Sequence, residues 1–187
     1  MLGSDYTDQT CSVARSLEIV GERWTLLIVR DAFLGVRRFD GFARKLGLAS
    51  NILSKRLATL VDGGVLERRT YQERPHRDEY ILTERGLALF PVIVALMAWG
   101  DDHFAPSGPP VSLRHRDCGG DLDAGARCAR CSTPVGAREA EWWAEPDIAQ
   151  TAPRSLLHHC PSRDASPPVS ASGADRDAPL DLLDADA

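Results

Sequence analysis

Apolar residues recur at helical spacing through residues 10–104, and short breaks that contain glycine separate the repeats. Val13, Leu17 and Val20 predict a first helix, which Gly21 ends. A second helix is predicted over residues 24–33, with an apolar face formed by Trp24, Leu27, Ile28 and Ala32. A short third helix is predicted over residues 39–46, so the chain begins as a set of consecutive helices.

A glycine turn separates the third predicted helix from a fourth. Gly47 lies in the break, and the next helix is predicted from about Ser50 to Asp62, before the pair Gly63-Gly64. One face of this helix is predicted to be apolar, formed by Ile52, Leu53, Leu57, Leu60 and Val61. The opposite face near the N-terminal end is polar, formed by Ser50, Asn51, Ser54 and Lys55.

Two β-like runs follow the fourth helix, at residues 65–71 and 79–83. A polar loop over residues 72–78, with Pro75 near its tip, is predicted to join them as a hairpin. Helix, tight turn, helix and hairpin in this order are typical of a winged helix-turn-helix. The predicted fold class is therefore mainly α (α+β), with the hairpin as its small β part.

A long last helix is predicted after the hairpin, from a cap at Thr83 to about Phe104. Glu84 in its first turn suits the positive end of the helix dipole, and a kink is expected near Pro91. Its apolar residues exceed what one face of such a helix usually buries, which favours a dimerisation helix over an ordinary core helix. They are Leu89, Phe90, Ile93, Val94, Leu96, Met97 and Trp99.

Composition divides the rest of the chain into further regions. The sequence APSGPP at residues 105–110 is a predicted linker, and the C-terminal stretch rich in Pro, Ser, Ala and Asp lacks the apolar residues needed to order it. The predicted regions are an arm at 1–9, the winged helix at 10–104, the linker at 105–110, a Cys-containing extension at 111–145 and a mostly disordered tail at 146–187. No signal peptide and no apolar run of membrane-spanning length is apparent, so a cytoplasmic protein is expected.

The net charge of −5 first argues against a nucleic-acid partner, but the charge is unevenly distributed. Residues 1–104 carry 14 basic and 14 acidic side chains, whereas residues 105–187 carry 8 and 13. Residues 37–77 contain 4 acidic and 10 basic side chains, the latter being Arg37, Arg38, Arg44, Lys45, Lys55, Arg56, Arg68, Arg69, Arg74 and Arg77. This local excess of positive charge is what contact with DNA phosphates requires.

The polar face of the fourth helix suits base contact in the DNA major groove. Asn can pair bidentately with adenine, Lys can reach guanine acceptors, and Ser can serve several bases. Arg56 lies between the two helix faces and suits either a phosphate or an intramolecular carboxylate. The alternative is an ordinary solvated helix face beside a basic hairpin. The predicted DNA-binding residues are Arg38, Ser50, Asn51, Ser54, Lys55, Arg56, Arg68, Arg69, Arg74 and Arg77.

Residues 11–104 resemble the HxlR-type family of winged helix-turn-helix regulators almost continuously. The resemblance rests on Gly21-x-Arg23-Trp24, Arg38-Phe39, Leu53-Ser54-x-Arg56-Leu57, Gly63-Gly64-Val65 and Tyr80-x-Leu82-Thr83-x-x-Gly86. Arg23 is a departure, since the family pattern often has Lys there. The resemblance implies a transcriptional regulator that binds a palindromic operator as a homodimer, with the first and last helices at the dimer interface.

Four metal-ligating residues occur in the extension as two pairs, His115-x-x-Cys118 and Cys128-x-x-Cys131. Three thiolates and one imidazole suit a closed, structural Zn²⁺ site, and the segment resembles a small zinc-ribbon. Ser132 departs from the glycine usual after the last ligand. The alternatives are surface thiols or a redox disulfide, and a ligand could also come from His158, His159 or Cys160.

Cys11 stands apart from the other cysteines, at the start of the first predicted helix. The helix dipole can lower the pKa of a thiol in this position, and some members of the resembled family use such a cysteine as a redox sensor. The alternative is a small residue buried at the dimer contact. A small-molecule or redox effector is therefore compatible with the sequence.

Two other classes of function fit the sequence less well than a regulator does. An enzyme is not expected, because the chain shows no glycine-rich phosphate loop, nucleophile elbow or spaced carboxylate pair. A helix-turn-helix module that binds protein and not DNA would have no need for ten basic residues in one window. The predicted partner is therefore double-stranded operator DNA, with no membrane association.

Overall fold

A computed structural model describes residues 10–144. The predicted arm at 1–9, the tail at 146–187 and the alternative ligands His158, His159 and Cys160 lie outside these residues. The elements in chain order are α1 Ser12–Val20, α2 Thr25–Phe33, α3 Phe39–Leu46, α4 Ser50–Asp62, β1 Leu66–Glu73, β2 His76–Leu82, α5 Glu84–Leu87, α6 Phe90–Phe104, β3 Val111–His115 and β4 Ala140–Ala144.

Helices α2, α3 and α4 pack against one another around a common apolar core. Ile28 of α2, Phe42 of α3 and Leu53 of α4 are fully buried there, where each removes its apolar surface from water. The turn between α3 and α4 is made by Gly47, whose φ of 63° lies in the left-handed region. The predicted helix-turn-helix is therefore present, and α4 has the predicted bounds.

Strands β1 and β2 form the antiparallel wing, which begins at the pair Leu66–Leu82. The predicted loop over residues 72–78 is wrong, because Gln72 pairs with Arg77 and Glu73 with His76. The sequence shows no alternation there because both faces of the projecting ribbon are largely exposed. The wing is thus longer than predicted, with only residues 74–75 at its tip.

The predicted last helix is interrupted, and α5 is separated from α6 at residues 88–89. Thr83 caps α5 as predicted, since its hydroxyl accepts a 3.1 Å hydrogen bond from the Gly86 amide. Pro91 lies in the first turn of α6, where its missing N–H leaves no helical hydrogen bond unmade. The expected kink is therefore a break just before the proline.

Three of the predicted core positions are exposed. Val13 and Leu17 of α1 are 67% and 42% exposed, whereas the third predicted position, Val20, is buried together with Ala14. Ile52 was predicted to join the apolar stripe of α4 but is 39% exposed, whereas Leu53, Leu57 and Leu60 are buried. The spacing of these residues marked an apolar helix face without showing what covers it.

The segment Glu84–Phe104 is the one helical stretch in residues 10–144 whose length and mean hydropathy, 21 residues and 1.3, would allow it to cross a membrane. Only 17% of its most apolar window is buried within the chain. Phe90, Ile93 and Val94 supply that buried part and belong to the core of the winged helix. The remaining apolar surface of α6 is therefore available to a partner.

The Cys-containing extension folds back onto the winged helix. Strands β3 and β4 pair in antiparallel fashion, and Leu113 and Trp142 join the same buried cluster as the helical core. Val94 and Met97 of α6 line a cleft of about 230 Å³ whose other wall includes Leu122. Hence the extension covers part of α6.

A surface ion pair adds a second contact between the extension and the winged helix. The Arg138 guanidinium donates a 2.6 Å hydrogen bond to the Glu84 carboxylate. This bond holds the pKa of Glu84 below its usual value. The extension thus contacts the winged helix at the start of α5, directly after the wing.

Candidate DNA-binding surface and metal centre

The predicted DNA-contacting side chains of α4 lie together on its exposed face. Ser50, Asn51, Ser54 and Lys55 are all exposed. Within residues 10–144, none of these four side chains has a hydrogen bond or ion pair, so their polar atoms are free for an external partner. They flank the N-terminal end of α4, which in helix-turn-helix proteins enters the major groove.

Arg56 of α4 differs from its neighbours because it is already paired. Its Nη2 lies 2.8 Å from Glu22 Oε2, and its side chain is only 16% exposed. The sequence left two roles open for Arg56, contact with a DNA phosphate or an ion pair within the chain, and the structure shows the ion pair. This pair ties α4 to the loop between α1 and α2.

The wing contains paired and unpaired arginines. Arg68 donates a 2.6 Å hydrogen bond from Nε to Asp78, and Arg69 forms an exposed pair with Glu67 at 3.1 Å. Arg74 and Arg77 near the tip have no carboxylate partner in the described part of the chain. The tip is thus the part of the wing with the most available positive charge.

Asp78 organises the exposed surface of the wing. Its carboxylate accepts a 2.8 Å hydrogen bond from the Thr70 hydroxyl and lies 3.1 Å from His76 Nε2. The Thr70 hydroxyl and then the Arg68 guanidinium lower the pKa of Asp78. Asp78 therefore stays ionised and holds the two strands together across the ladder.

Arg38 is placed at the junction of the wing and α3. Its guanidinium lies 4.6 Å from the centre of the Tyr71 ring, as a cation–π pair. The Tyr80 amide donates a 2.7 Å hydrogen bond to the carbonyl of Arg37, which fixes the strand against the start of α3. Arg37 and Arg38 have no carboxylate partner within residues 10–144, so both remain available for phosphate.

A buried charge pair inside the helix-turn-helix was not predicted. Asp31 of α2 is fully buried, and its Oδ1 lies 3.2 Å from Lys45 Nζ and 2.9 Å from Arg30 Nη2. Lys45 is 5% exposed, and its burial lowers its pKa although Asp31 acts in the opposite direction. The sequence does contain a signal for this pair: Asp31 lies three positions after Ile28, on the side of α2 that faces the core, where an acidic residue needs a partner.

The four predicted metal ligands come together in the extension. The Sγ atoms of Cys118, Cys128 and Cys131 and a ring nitrogen of His115 all lie within 4.8 Å of one another. Cys118 Sγ is 3.3 Å from Cys128 Sγ and 3.7 Å from Cys131 Sγ. His115 Nδ1 is 3.4 Å from Cys118 Sγ. A cluster of this composition and size could hold a metal ion.

The two knuckles of the cluster are shaped by their backbone. The Arg130 amide donates a 3.4 Å hydrogen bond to Cys128 Sγ. A Cβ atom at Gly120 would lie 2.5 Å from Cys128 Sγ, so only glycine fits beside the ligands there. The hydroxyl of Thr133 and then its amide lower the pKa of Cys131 to about 6. The Thr133 hydroxyl and amide therefore favour the thiolate that a metal binds.

His115 has a different neighbour at each ring nitrogen. Nδ1 faces the sulfur atoms, 3.3 Å from Cys131 Sγ, and Nε2 lies 3.6 Å from a carboxylate oxygen of Asp117. The second separation is longer than a hydrogen bond, so the Asp117 carboxylate does not fix the ring in this structure. Asp117 is a neighbour of the cluster that the ligand spacing did not indicate.

Cys11 lies at the N-cap of α1 and is exposed in the single chain. The amides of Ala14 and then Val13 lower the pKa of its thiol. The predicted effect of the helix N-terminus is thus present. Cys11 is not buried by the residues that the structure describes.

Comparison with known proteins agrees with this architecture. The profile of the HxlR-like helix-turn-helix family matches residues 19–107. The uncharacterized HTH-type transcriptional regulator Rv3095 of Mycobacterium tuberculosis is 52% identical over 128 residues, covering 68% of this chain and 81% of the relative. The regulator YdeP of Bacillus subtilis, also uncharacterized, is 35% identical over 107 residues, covering 54% and 83%.

A solved structure shares the same fold. The crystal structure of PA1607, described as a candidate transcription factor, has a TM-score of 0.57 and 43% sequence identity. The match covers 70% of this chain and 92% of that one. The relatives are transcriptional regulators and not enzymes, as the sequence predicted. The chain therefore belongs to the HxlR-like helix-turn-helix family of DNA-binding transcriptional regulators.

Proposed function

We propose that the protein is a cytoplasmic regulator that binds a palindromic operator as a homodimer, with α4 in the major groove and the wing on the flanking backbone. The observation that carries this proposal is the unpaired polar face of α4 in a chain of this family. Asn51 and Lys55 are the base-contacting residues, because their side chains suit adenine and guanine edges. Arg74 and Arg77 contact phosphates.

The homodimer is supported by where the exposed apolar side chains lie. Among the described residues, six of the eight large apolar side chains that remain exposed belong to α1 and α6. Leu96 and Trp99 of α6 are 47% and 55% exposed, and they share a face with Val92 at helical spacing. A patch of this kind on a soluble protein marks an interaction site, and a second copy of the chain covers it.

The dimer is tested by placing a charge in this patch. Leu96→Glu should convert the dimer to a monomer in sedimentation equilibrium, because a carboxylate at the interface would lose its hydration. Arg44→Glu, which places the same side chain at an exposed site on α3, is the control and should remain dimeric. A Leu96→Glu variant that stays dimeric at micromolar concentration would place the interface elsewhere.

Operator binding is tested with a base-contact variant and a salt titration. Asn51→Ala should weaken binding to the selected operator by about tenfold or more, since a good bidentate base contact contributes about 1–3 kcal/mol. Ser107→Ala in the exposed linker is the control and should bind as the parent does. Unchanged affinity and specificity of Asn51→Ala would show that α4 is not the recognition helix.

The slope of the salt titration follows from the free cations. Five of the ten basic residues in the window 37–77 have no carboxylate partner in the described structure: Arg37, Arg38, Lys55, Arg74 and Arg77. Lys55 is assigned to a base edge, so at about 0.9 per neutralised phosphate the four arginines allow a slope of log K against log salt of at most about 3.6 per protomer. Arg77→Ala should lower the slope by about one and weaken all DNA sequences equally.

The metal of the extension is Zn²⁺ in this proposal. Tetrahedral Zn²⁺ with bonds of about 2.3 Å to sulfur and about 2.0–2.1 Å to nitrogen separates two sulfurs by about 3.8 Å and sulfur from nitrogen by about 3.5 Å. The distances from Cys118 Sγ, 3.7 Å to Cys131 Sγ and 3.4 Å to His115 Nδ1, fit such a site, whereas the 3.3 Å to Cys128 Sγ is shorter and would lengthen when the ion binds. Four protein ligands leave no open position, so the ion is structural.

Zinc content decides between this site and free thiols. The reduced, full-length protein should contain about one zinc per chain, and a Cys128→Ser/Cys131→Ser variant should contain none. Cys11→Ser removes a thiol that is remote in sequence from the two knuckles and should keep its zinc. Reduced protein without metal would contradict the zinc proposal, but it would not contradict the proposal of operator binding.

A redox role for Cys11 is a second candidate, favoured by its exposure and its lowered pKa. The expected effector is a peroxide, which would oxidise the thiolate to a sulfenic acid. Peroxide should then release operator DNA from the parent protein and not from Cys11→Ser, and dithiothreitol should restore binding. Unchanged DNA affinity with Cys11 verified as oxidised would remove this role.

A further inference from the structure

Ile52 is the exposed apolar side chain that the dimer proposal leaves unexplained. Eight large apolar residues are exposed among those described, and six of them belong to α1 and α6. The seventh, Tyr71, lies beneath the Arg38 guanidinium in the wing. Ile52 on α4 is 39% exposed and has no such neighbour in the described structure.

The position of Ile52 on α4 places it among the proposed base-contacting residues. Ile52 is the third residue of the helix, directly after Asn51. Residues three apart on a helix are neighbours on its surface, so Ile52 also adjoins Lys55. Its i+4 neighbour, Arg56, is held by Glu22 and does not cover it with a free charge. An apolar spot thus lies between an amide and an ammonium group at the end of α4 that enters the groove.

We propose that Ile52 determines operator specificity by packing against the 5-methyl group of a thymine in the major groove. This inference rests on the proposed operator binding by α4. The thymine methyl is the one apolar group among the base edges of the major groove, and apolar side chains recognise it. A protein partner is disfavoured, because one isoleucine flanked by Asn51 and Lys55 offers no continuous apolar patch.

The expected effect is that of burying one methyl group. One buried carbon of this kind contributes about 0.8 kcal/mol, which corresponds to about a fourfold change in affinity per half-site. A dimer on two half-sites should therefore lose about 15-fold when both methyl groups are removed. This change is large enough to measure by fluorescence anisotropy.

The experiment compares thymine with deoxyuridine, which differ only in that methyl group. The preferred duplex is selected from random DNA with the full-length parent protein, and each symmetric pair of thymines is then replaced by deoxyuridine. The parent should lose about 15-fold in affinity at one pair of positions. Ile52→Ala should bind the thymine duplex more weakly and show less than a twofold difference between thymine and deoxyuridine there.

Matched variants separate a base contact from a general effect. Ile52→Val keeps a branched apolar side chain and should keep most of the sensitivity to deoxyuridine. Ser107→Ala changes an exposed residue of the linker, outside the proposed DNA-binding and dimer surfaces, and should keep all of it. Thermal denaturation should show that Ile52→Ala remains folded, since the residue is not in the core.

Two results would overturn the inference at different levels. A parent protein insensitive to every thymine replacement, or an Ile52→Ala variant with the parent's sensitivity, would show that Ile52 contacts no thymine methyl while operator binding stands. A parent protein that selects no duplex at all would refute the proposed operator binding itself, and this inference with it.

Discussion

The buried pair between Asp31 and Lys45 allows a sharp test of how the helix-turn-helix is held together. Lys45→Met keeps an unbranched side chain of similar length but removes the ammonium group 3.2 Å from the Asp31 carboxylate. Asp31 is fully buried, and its Oδ2 has no hydrogen-bond partner within the described structure. The substitution therefore leaves a buried carboxylate with less compensation.

The magnitude follows from what remains around Asp31. Removing one partner of a buried ion pair usually costs about 3–5 kcal/mol, because the other charge is left uncompensated. Arg30 still contacts Asp31 at 2.9 Å and is 35% exposed, so it offsets part of that cost. We expect Lys45→Met to lower the free energy of unfolding by about 2–3 kcal/mol, a large share of the roughly 5–15 kcal/mol typical of domains.

Urea denaturation at one fixed protein concentration measures this loss, since the stability of the proposed dimer would depend on concentration. Lys55→Met is the matched control, because Lys55 is the other lysine of the chain and is exposed on α4. It should change stability by less than about 0.5 kcal/mol. The double variant Asp31→Asn/Lys45→Met should recover at least about 1 kcal/mol relative to Lys45→Met, because the buried charge is gone. A double variant no more stable than Lys45→Met would refute the reasoning.

Three further predictions concern the extension. Gly120→Ala should lower the zinc content and the zinc affinity, because its Cβ would lie 2.5 Å from Cys128 Sγ. Competition with a chromophoric chelator measures the affinity. A Gly120→Ala variant with the same zinc affinity as the parent would contradict the knuckle geometry. Arg138→Gln should speed hydrogen exchange in β3 and β4 at neutral pH. Since Arg138 lowers the pKa of Glu84, this difference should begin to shrink near the ordinary glutamate value of 4.5 and vanish only as the pH falls through the lower pKa of Glu84 in the folded protein; a difference that persists in stronger acid would assign it to another contact. Chelation should unfold the extension and weaken dimerisation and DNA binding, because Leu122 shares a cleft with Val94 and Met97 of α6. Unchanged binding would show that the extension does not support α6.

The parts of the fold that could be predicted are those fixed by local pattern. The glycine turn at Gly47, the bounds of α4 and the cap at Thr83 depend on neighbours in sequence, and all were predicted. The His-x-x-Cys and Cys-x-x-Cys pairs were likewise recognisable from spacing, and the structure brings them together. Local chemistry was sufficient in each case.

The sequence-based predictions were wrong or incomplete where the structure depends on contacts between residues that are distant in sequence. Leu17 and Ile52 have the spacing of core residues, but helical periodicity does not distinguish a face that packs within the chain from one that awaits a partner. The length of the wing depends on hydrogen-bonded pairing between β1 and β2, and not on an alternation of apolar and polar residues along either strand. The pairing of Lys45 with Asp31, and of Arg56 with Glu22, requires knowledge of which helices pack together.

The surroundings of helix α6 determine how well this protein tolerates substitutions there. One side of the helix contributes Phe90 and Ile93 to the winged-helix core, and another lies against the extension through Met97. The third side carries the exposed Leu96 and Trp99. If the proposed dimer covers this third side, the helix has no face on which polar substitutions are neutral. Saturation mutagenesis should therefore find α6 less permissive than α3, and a protein shortened to end at Phe104 should be poorly soluble because the face around Met97 would be uncovered.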